Sequence, residues 1–251
     1  MNTPAPSPRP VRRFSGSTAF TLIELLVVIS IIAVLAGLLL PVTSSVMRNA
    51  RKVSCRNTEM QIVAAVNSYY TEYSQYPVPT TASTGTTPKD YTYTPNAENN
   101  NGQLFDVLRA LNGSSSSSSS ISSLNSRRIN YFEAKNVKTV KAPKDGFVVT
   151  DGTTGNLGVK LKIGDLVDPW GNLYAVRIDN SYSNAVKNPY ADASNEATDD
   201  SSGDANTQDL TVLRTGVVTW SYGEDGKVGK NGTSVTSPYS PTPGDDVDSW
   251  Q

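Results

Sequence analysis

One long apolar run dominates the hydrophobic pattern of the chain. It extends from Phe20 to Pro41 and contains a single charged residue, Glu24. At 1.5 Å per residue, a helix of roughly 22 residues reaches about 33 Å, enough to cross the hydrocarbon core of a bilayer. The run therefore predicts a transmembrane helix over residues 20–41.

The segment before this run, residues 1–19, is basic and rich in proline. It carries Arg9, Arg12 and Arg13 and no acidic residue. Prolines at this density oppose a helix, and arginines in front of an apolar span favour a cytoplasmic amino terminus. Residues 1–19 thus predict a cytoplasmic leader.

Beyond the run, residues 42–77 predict an amphipathic continuation of the helix. Pro41 removes a helical hydrogen bond, so we expect a kink or local melting there. The expected apolar face falls on spacings of three, four and seven residues: Val46, Ala50, Val53, Met60, Val63 and Tyr70. The basic residues between them predict either a solvated face or a contact with acidic groups of neighbouring subunits: Arg48, Arg51, Lys52 and Arg56.

The rest of the chain alternates loops with short elements. Residues 78–165 predict a variable insertion, with a short helix over 104–111, a serine-rich linker over 114–120 and short strands over 147–150 and 159–163. Residues 166–251 predict a turn at DPWGN, strands over 173–178 and 212–222, and a polar loop between those strands. One long helix followed by short strands predicts an α+β fold.

Composition excludes several catalytic classes. The chain has no histidine and one cysteine, so it has no Ser-His-Asp triad, no HExxH zinc helix and no internal disulfide. A formal net charge of −1 provides no electrostatic footprint for nucleic acid. Enzymes that use Asp/Glu, a Ser-Lys pair or a bound cofactor are not excluded, but nothing in the composition favours them.

Glu24 is the residue that changes the interpretation of the apolar run. A carboxylate within the membrane costs about 2.5–3.5 kcal/mol at a helix centre, so it needs a partner. Phe20-Thr21-Leu22-Ile23-Glu24 resembles the amino terminus of type IV prepilins and type II secretion pseudopilins, a glycine and FTLIE before an apolar helix. The resemblance implies cleavage between Ala19 and Phe20, methylation of the Phe20 amine, and pairing of Glu24 with the amine of a neighbouring subunit.

The resemblance has one departure, because Ala19 stands where the family has glycine. Alanine is small enough for cleavage, with slower processing expected. The competing interpretations of the run are a secretory signal, for which it is too long, and a plain signal anchor, which would gain nothing from Glu24.

The carboxy-terminal part resembles the major, G-type pseudopilins. DPWGN, a strand, SYGEDGKVG and DDVDSW occur in the order typical of that group. The resemblance implies one structural Ca²⁺, held by the carboxylates of Asp225 and Asp246 and the main-chain carbonyls of Tyr222 and Asp248. Asp245 is an alternative to Asp246. The competing interpretation is a solvated acidic end. We expect Trp250 to hold the end of the chain against the sheet and not to act in recognition.

The two resemblances together imply a pilin-like fold: a long amino-terminal helix packed on a small antiparallel sheet, with a calcium-stabilised carboxy-terminal loop. They imply a homo-oligomeric helical filament, the pseudopilus of a type II secretion system, so we predict that the chain is a structural subunit and not an enzyme. A prepilin peptidase/methyltransferase, minor pseudopilins and an inner-membrane assembly platform would be its partners. The subunit would cross the inner membrane once, with its carboxy-terminal domain in the periplasm before assembly. A type IV pilus subunit for adhesion, motility or DNA uptake is the first alternative, and a signal-anchored enzyme or binding module is the second.

Overall fold

A computed structural model describes residues 20–79, 90–93, 100–111, 124–155, 158–189, 212–226 and 247–250. The side chains of residues 38–43 are also outside this description. The leader 1–19 with Ala19, the serine-rich linker, Asp245 and Asp246 therefore lie outside the described residues. The described part combines a long amino-terminal helix with small antiparallel sheets, which confirms the predicted α+β class.

Helix α1 extends from Leu22 to Tyr73, a length of 52 residues. It continues through Gly37 and Pro41, so the local melting expected at Pro41 is not observed. The helix ends where Ser74 adopts a left-handed φ of 55° and donates its N–H to the Tyr70 carbonyl at 2.8 Å. A left-handed residue at this position is a common way to terminate a helix, because it satisfies a carbonyl of the last turn.

The chain divides into two compact units, residues 1–48 and 49–251. In the first unit, the apolar side chains of α1 are exposed all around the helix, from Leu22 to Leu35. A helix that is apolar on all sides is normally covered by lipid or by other helices.

The second unit contains a four-stranded antiparallel sheet in the order β1-β4-β7-β8. Two smaller antiparallel sheets pair β2 with β3 and β5 with β6, and the short helix α2 covers Asn101–Leu108. The strands are β1 Tyr91–Tyr93, β2 Gly146–Phe147, β3 Leu166–Val167, β4 Ala175–Ile178, β5 Val186–Lys187, β6 Val212–Leu213, β7 Val217–Ser221 and β8 Val247–Asp248.

Several local predictions differ from the observed elements, among them the strand predicted over 147–150, which is observed as β2 Gly146–Phe147. The short helix predicted to end at Leu111 ends at Leu108, and Ala110 follows with φ 56°. The strand predicted over 212–222 is broken into β6 and β7 by a bend at 214–216. The strand predicted over 159–163 is reduced to a single bridge between Thr154 and Lys160.

The core of the second unit forms against a face of α1 that the sequence pattern did not single out. The buried or half-buried stripe has alternating spacings of four and three residues: Cys55, Glu59, Ile62, Val66, Tyr69 and Tyr73. The predicted apolar face is wrong, because Val46, Val53, Met60 and Tyr70 are exposed. The packed stripe contains a thiol and a carboxyl group, which made it look less apolar than the exposed one.

Candidate functional site

The DPWGN turn and the SYG segment contact each other directly in the second unit. Asp168 accepts hydrogen bonds from the main-chain N–H groups of Trp170, Gly171 and Asn172 with its Oδ1, at 2.7–2.8 Å. Its Oδ2 accepts the hydroxyl proton of Ser221 on β7. The two motifs, separated in sequence by about fifty residues, therefore form one buried hydrogen-bonded unit.

Burial raises the pKa of Asp168 to about 6, although these hydrogen bonds act in the opposite direction. Gly171 in the same turn has φ 102°, and a Cβ there would lie 2.9 Å from the Pro143 carbonyl oxygen. Only glycine satisfies both constraints at this position without strain. The DPWGN turn is thus a structural element whose polar groups are directed towards β7.

Three of the residues expected to hold calcium, Tyr222, Asp225 and Asp248, lie within the described residues at or near β7 and β8. Tyr222 follows β7, and its carbonyl accepts the N–H of Gly226 at 3.2 Å across a tight turn. Asp225 lies in that turn and is exposed, whereas Asp248 is buried in β8, opposite Trp220 of β7. Among the described residues, no three acidic, histidine or cysteine side chains converge on a metal-sized site. Asp246, the other predicted carboxylate, lies outside these residues.

Glu59 is a second unusual feature of this region. It is fully buried on α1, its Oε1 accepts a weak hydrogen bond from Cys55 Sγ at 3.6 Å, and its Oε2 has no hydrogen-bond partner in the described part of the chain. Burial first, and then the charge of Asp248, raise the pKa of Glu59 well above its usual range. Asp168 acts in the same direction, while Cys55 and Arg56 lower it. Sequence analysis missed this residue, because a single glutamate on an amphipathic helix has no distinguishing pattern.

At the other end of α1, Glu24 closes the first turn of the helix. The Thr21 main-chain N–H donates to Glu24 Oε2 at 2.9 Å, and the Thr21 hydroxyl donates to the same oxygen at 2.7 Å. In return, the Glu24 N–H donates to Thr21 Oγ1 at 3.3 Å. This reciprocal pattern is a capping box, which satisfies N–H groups that a helix start leaves without partners.

The capping box could have been recognised in the sequence. Thr21-Leu22-Ile23-Glu24 follows the pattern of serine or threonine, two residues and an acidic residue before an apolar run. Glu24 therefore has a structural role within its own chain, besides the one predicted between subunits. Phe20, 80% exposed, precedes the box, and with Glu24, Ile23, Val27 and Val28 it lines an apolar surface hollow.

Comparison with protein families decides what this amino terminus is. Residues 15–40 match the prokaryotic N-terminal methylation motif. It is a prepilin-type processing signal. The match supports a type IV pilin-like protein and a structural subunit. The chain matches no curated protein and no solved structure.

The methylation motif contains the predicted cleavage position and Glu24. Its range places Phe20 and the capping box inside one processing signal. In the described residues, no helix is both long enough and apolar enough to span a membrane. The motif implies processing by a prepilin peptidase, followed by filament assembly in general.

Proposed function

We propose that the chain is a filament subunit that is cleaved before Phe20 and assembled from the membrane through its amino-terminal helix. The observation that carries the proposal is the exposed apolar surface of α1 directly after the cleavage position. Leu22, Ile23, Leu26 and Ile32 each expose more than half of their surface, and they lie inside the methylation motif. A surface of this kind is normally covered by lipid or by other helices, as it would be in a membrane and then in a filament.

The apolar stripe further along α1 supports copies of the same chain as the partner. In the second unit, Val53 and Met60 expose 61% and 54% of their surface and lie one heptad apart. They lie on the helix face away from the buried stripe of Cys55 and Glu59. Exposed apolar residues at this spacing are suited to helix–helix contacts in a filament.

We propose that this filament is the pseudopilus of a type II secretion system. The support is the carboxy-terminal set of DPWGN, SYGEDGKVG and DDVDSW, whose first two members are in direct contact. An inner-membrane assembly platform and minor pseudopilins would then be its partners, with the carboxy-terminal domain in the periplasm. A type IV pilus subunit is the second candidate, favoured by the same methylation motif.

For the carboxy-terminal loop, we propose one structural Ca²⁺. The donor chemistry fits: Asp225 and Asp246 offer carboxylates, and Tyr222 and Asp248 offer main-chain carbonyls, all oxygen ligands of the kind that calcium accepts. Asn172 Oδ1, a buried oxygen without a hydrogen-bond partner in the described residues, belongs to the side chain that bonds Gly223 beside Tyr222. When bound, the ion would neutralise repelling carboxylates and couple loop folding to metal binding.

The amino terminus of the mature protein tests the filament proposal. Mass spectrometry of the chain purified from its native membrane should show a mature protein that begins at Phe20 and carries one added methyl group. An intact leader, or a cut at another position, would contradict processing as a prepilin. Phe20→Ala should still be cleaved, because the small residue before the cut is unchanged, and it serves as a control for the assignment of the mass.

Thermal unfolding tests the calcium proposal independently. We expect the full chain in detergent to melt at a higher temperature with millimolar Ca²⁺ than with a chelator, because a ligand that binds only the folded state stabilises it. Asp225→Ala should abolish this difference, whereas Asp151→Ala, an exposed turn aspartate elsewhere, should retain it. If the unmodified chain has the same melting temperature with and without calcium, the calcium proposal is wrong.

A further inference from the structure

The turn after β7 is held on both sides of Tyr222 by side chains from DPWGN. Asn172 Nδ2 donates to the Gly223 carbonyl at 2.6 Å, and Asp168 Oδ2 accepts the hydroxyl of Ser221. The Gly223 N–H donates in turn to Ser221 Oγ at 3.1 Å. The residues immediately before and after Tyr222 are therefore fixed by a single neighbouring turn.

These contacts are buried, so water cannot replace them easily. Asp168 and Ser221 are fully buried, and Asn172 is 1% exposed. A buried hydrogen bond that loses one partner leaves the other unsatisfied, at the full cost of its desolvation. The position of the turn is consequently much more sensitive to Asp168 and Asn172 than to its own exposed residues, Glu224 and Asp225.

The orientation of a main-chain metal ligand depends on such contacts more than the orientation of a side-chain ligand does. A carboxylate can rotate to reach an ion, but the direction of the Tyr222 carbonyl is set by the peptide plane between Tyr222 and Gly223. Gly223 has φ 61°, in the left-handed region, and both its N–H and its carbonyl are bound within this network. Groups that orient the ligands of a metal typically change its affinity by roughly 10- to 100-fold when removed.

We propose that Asn172 and Asp168 are positioning residues for the cation of the carboxy-terminal loop, acting through Ser221 and Gly223 on the Tyr222 carbonyl. The inference rests on the proposed calcium site, and it assigns to DPWGN the role of presenting a main-chain ligand. In this scheme the amide nitrogen of Asn172 and the carboxylate of Asp168 bind the turn and not the ion. The loop carboxylates provide charge, and the turn provides the geometry.

Calcium titration calorimetry on the full chain in detergent tests the inference. We expect Asn172→Ala to bind Ca²⁺ about 10- to 100-fold more weakly than the unmodified chain, at a temperature at which both are folded. Ser221→Ala, a smaller change in the same network, should weaken binding in the same direction and keeps the test informative if Asn172→Ala does not fold.

Asn125→Ala is the matched control. Asn125 is also buried, and its side chain makes four hydrogen bonds, to Tyr73, Val107 and Ile129, away from the loop. It should lower thermal stability and leave the calcium affinity unchanged, so general destabilisation is distinguished from positioning.

The outcomes separate the inference from the calcium proposal on which it rests. Normal binding by the unmodified chain and by both Asn172→Ala and Ser221→Ala would overturn the positioning role alone. Weakened binding by Asn125→Ala to the same extent would also overturn it, because the effect would then be one of stability. No binding by the unmodified chain would overturn the calcium site and the positioning role together.

Discussion

Filaments are expected to disappear when Glu24 is replaced by Gln, although the start of α1 remains intact. Glutamine at the third helical position still accepts from Thr21 and maintains the capping box. It cannot carry the negative charge that the resemblance to prepilins assigns to pairing with a neighbouring amine. Since an apolar environment strengthens charge pairing, loss of the charge removes an intersubunit interaction of several kcal/mol in order of magnitude.

Thr21→Val is the reciprocal control, because it weakens the capping box and keeps the charge of Glu24. It removes the hydroxyl that bonds Glu24 but keeps the carboxylate, so the helix start should lose about 0.5–2 kcal/mol while filaments still form. Filament yield can be measured by sedimentation and electron microscopy, with the membrane-bound fraction as a check on insertion. Normal filaments in Glu24→Gln would show that assembly does not require the charge of Glu24. Loss of filaments in Thr21→Val alone would show that assembly requires the capping box and not the charge.

Glu59→Gln is expected to stabilise the folded subunit at alkaline pH. The raised pKa of Glu59 means that folding favours its protonated form, which is consistent with an Oε2 that lacks a hydrogen-bond partner in the described residues. The stabilising contribution of that proton is complete below the unfolded pKa near 4.5 and is lost as pH rises towards the higher folded pKa. Between these limits the free energy of unfolding falls by about 1.4 kcal/mol per pH unit. Glutamine is always neutral and does not incur this loss.

The pH dependence of the free energy of unfolding distinguishes the contribution of Glu59 from those of other buried acidic residues. The raised pKa values of Asp165 and Asp168, both about 6, have the same sign and should lower stability between about pH 4 and 6 in both proteins. The unmodified chain should lose further stability as pH rises through the raised pKa of Glu59, and Glu59→Gln should lack that contribution. Denaturant unfolding with a chelator present measures this, with the exposed Glu133→Gln as control. Parallel profiles for the unmodified chain and Glu59→Gln would show that Glu59 is ionised in the folded protein.

Local sequence patterns were sufficient to predict those features that depend only on residues close together in the sequence. The apolar run, the processing signal and the continuation of the helix after Pro41 each depend on residues a few positions apart, and the methylation motif and α1 agree with them, although the apolar face predicted after Pro41 is wrong. The turn at DPWGN and the strand that follows it were also predictable, because proline, glycine and aspartate restrict the backbone directly. The same local information contained the capping box of Thr21 and Glu24, although its function there was assigned from the family resemblance.

Tertiary structure alone decided which side of α1 is buried and what its polar residues do. Two stripes of similar spacing follow the helix, and the one that packs on the sheet contains Cys55 and Glu59, while Val53 and Met60 remain outside. Sequence spacing cannot choose between them, because the choice depends on which surface the strands present. The contact of Asp168 and Asn172 with Ser221 and Gly223 is likewise non-local, created by the antiparallel pairing of β4 with β7. The chain thus encodes its processing and its long helix locally, whereas the burial of Glu59 and the positioning of the carboxy-terminal turn arise only when distant segments pack.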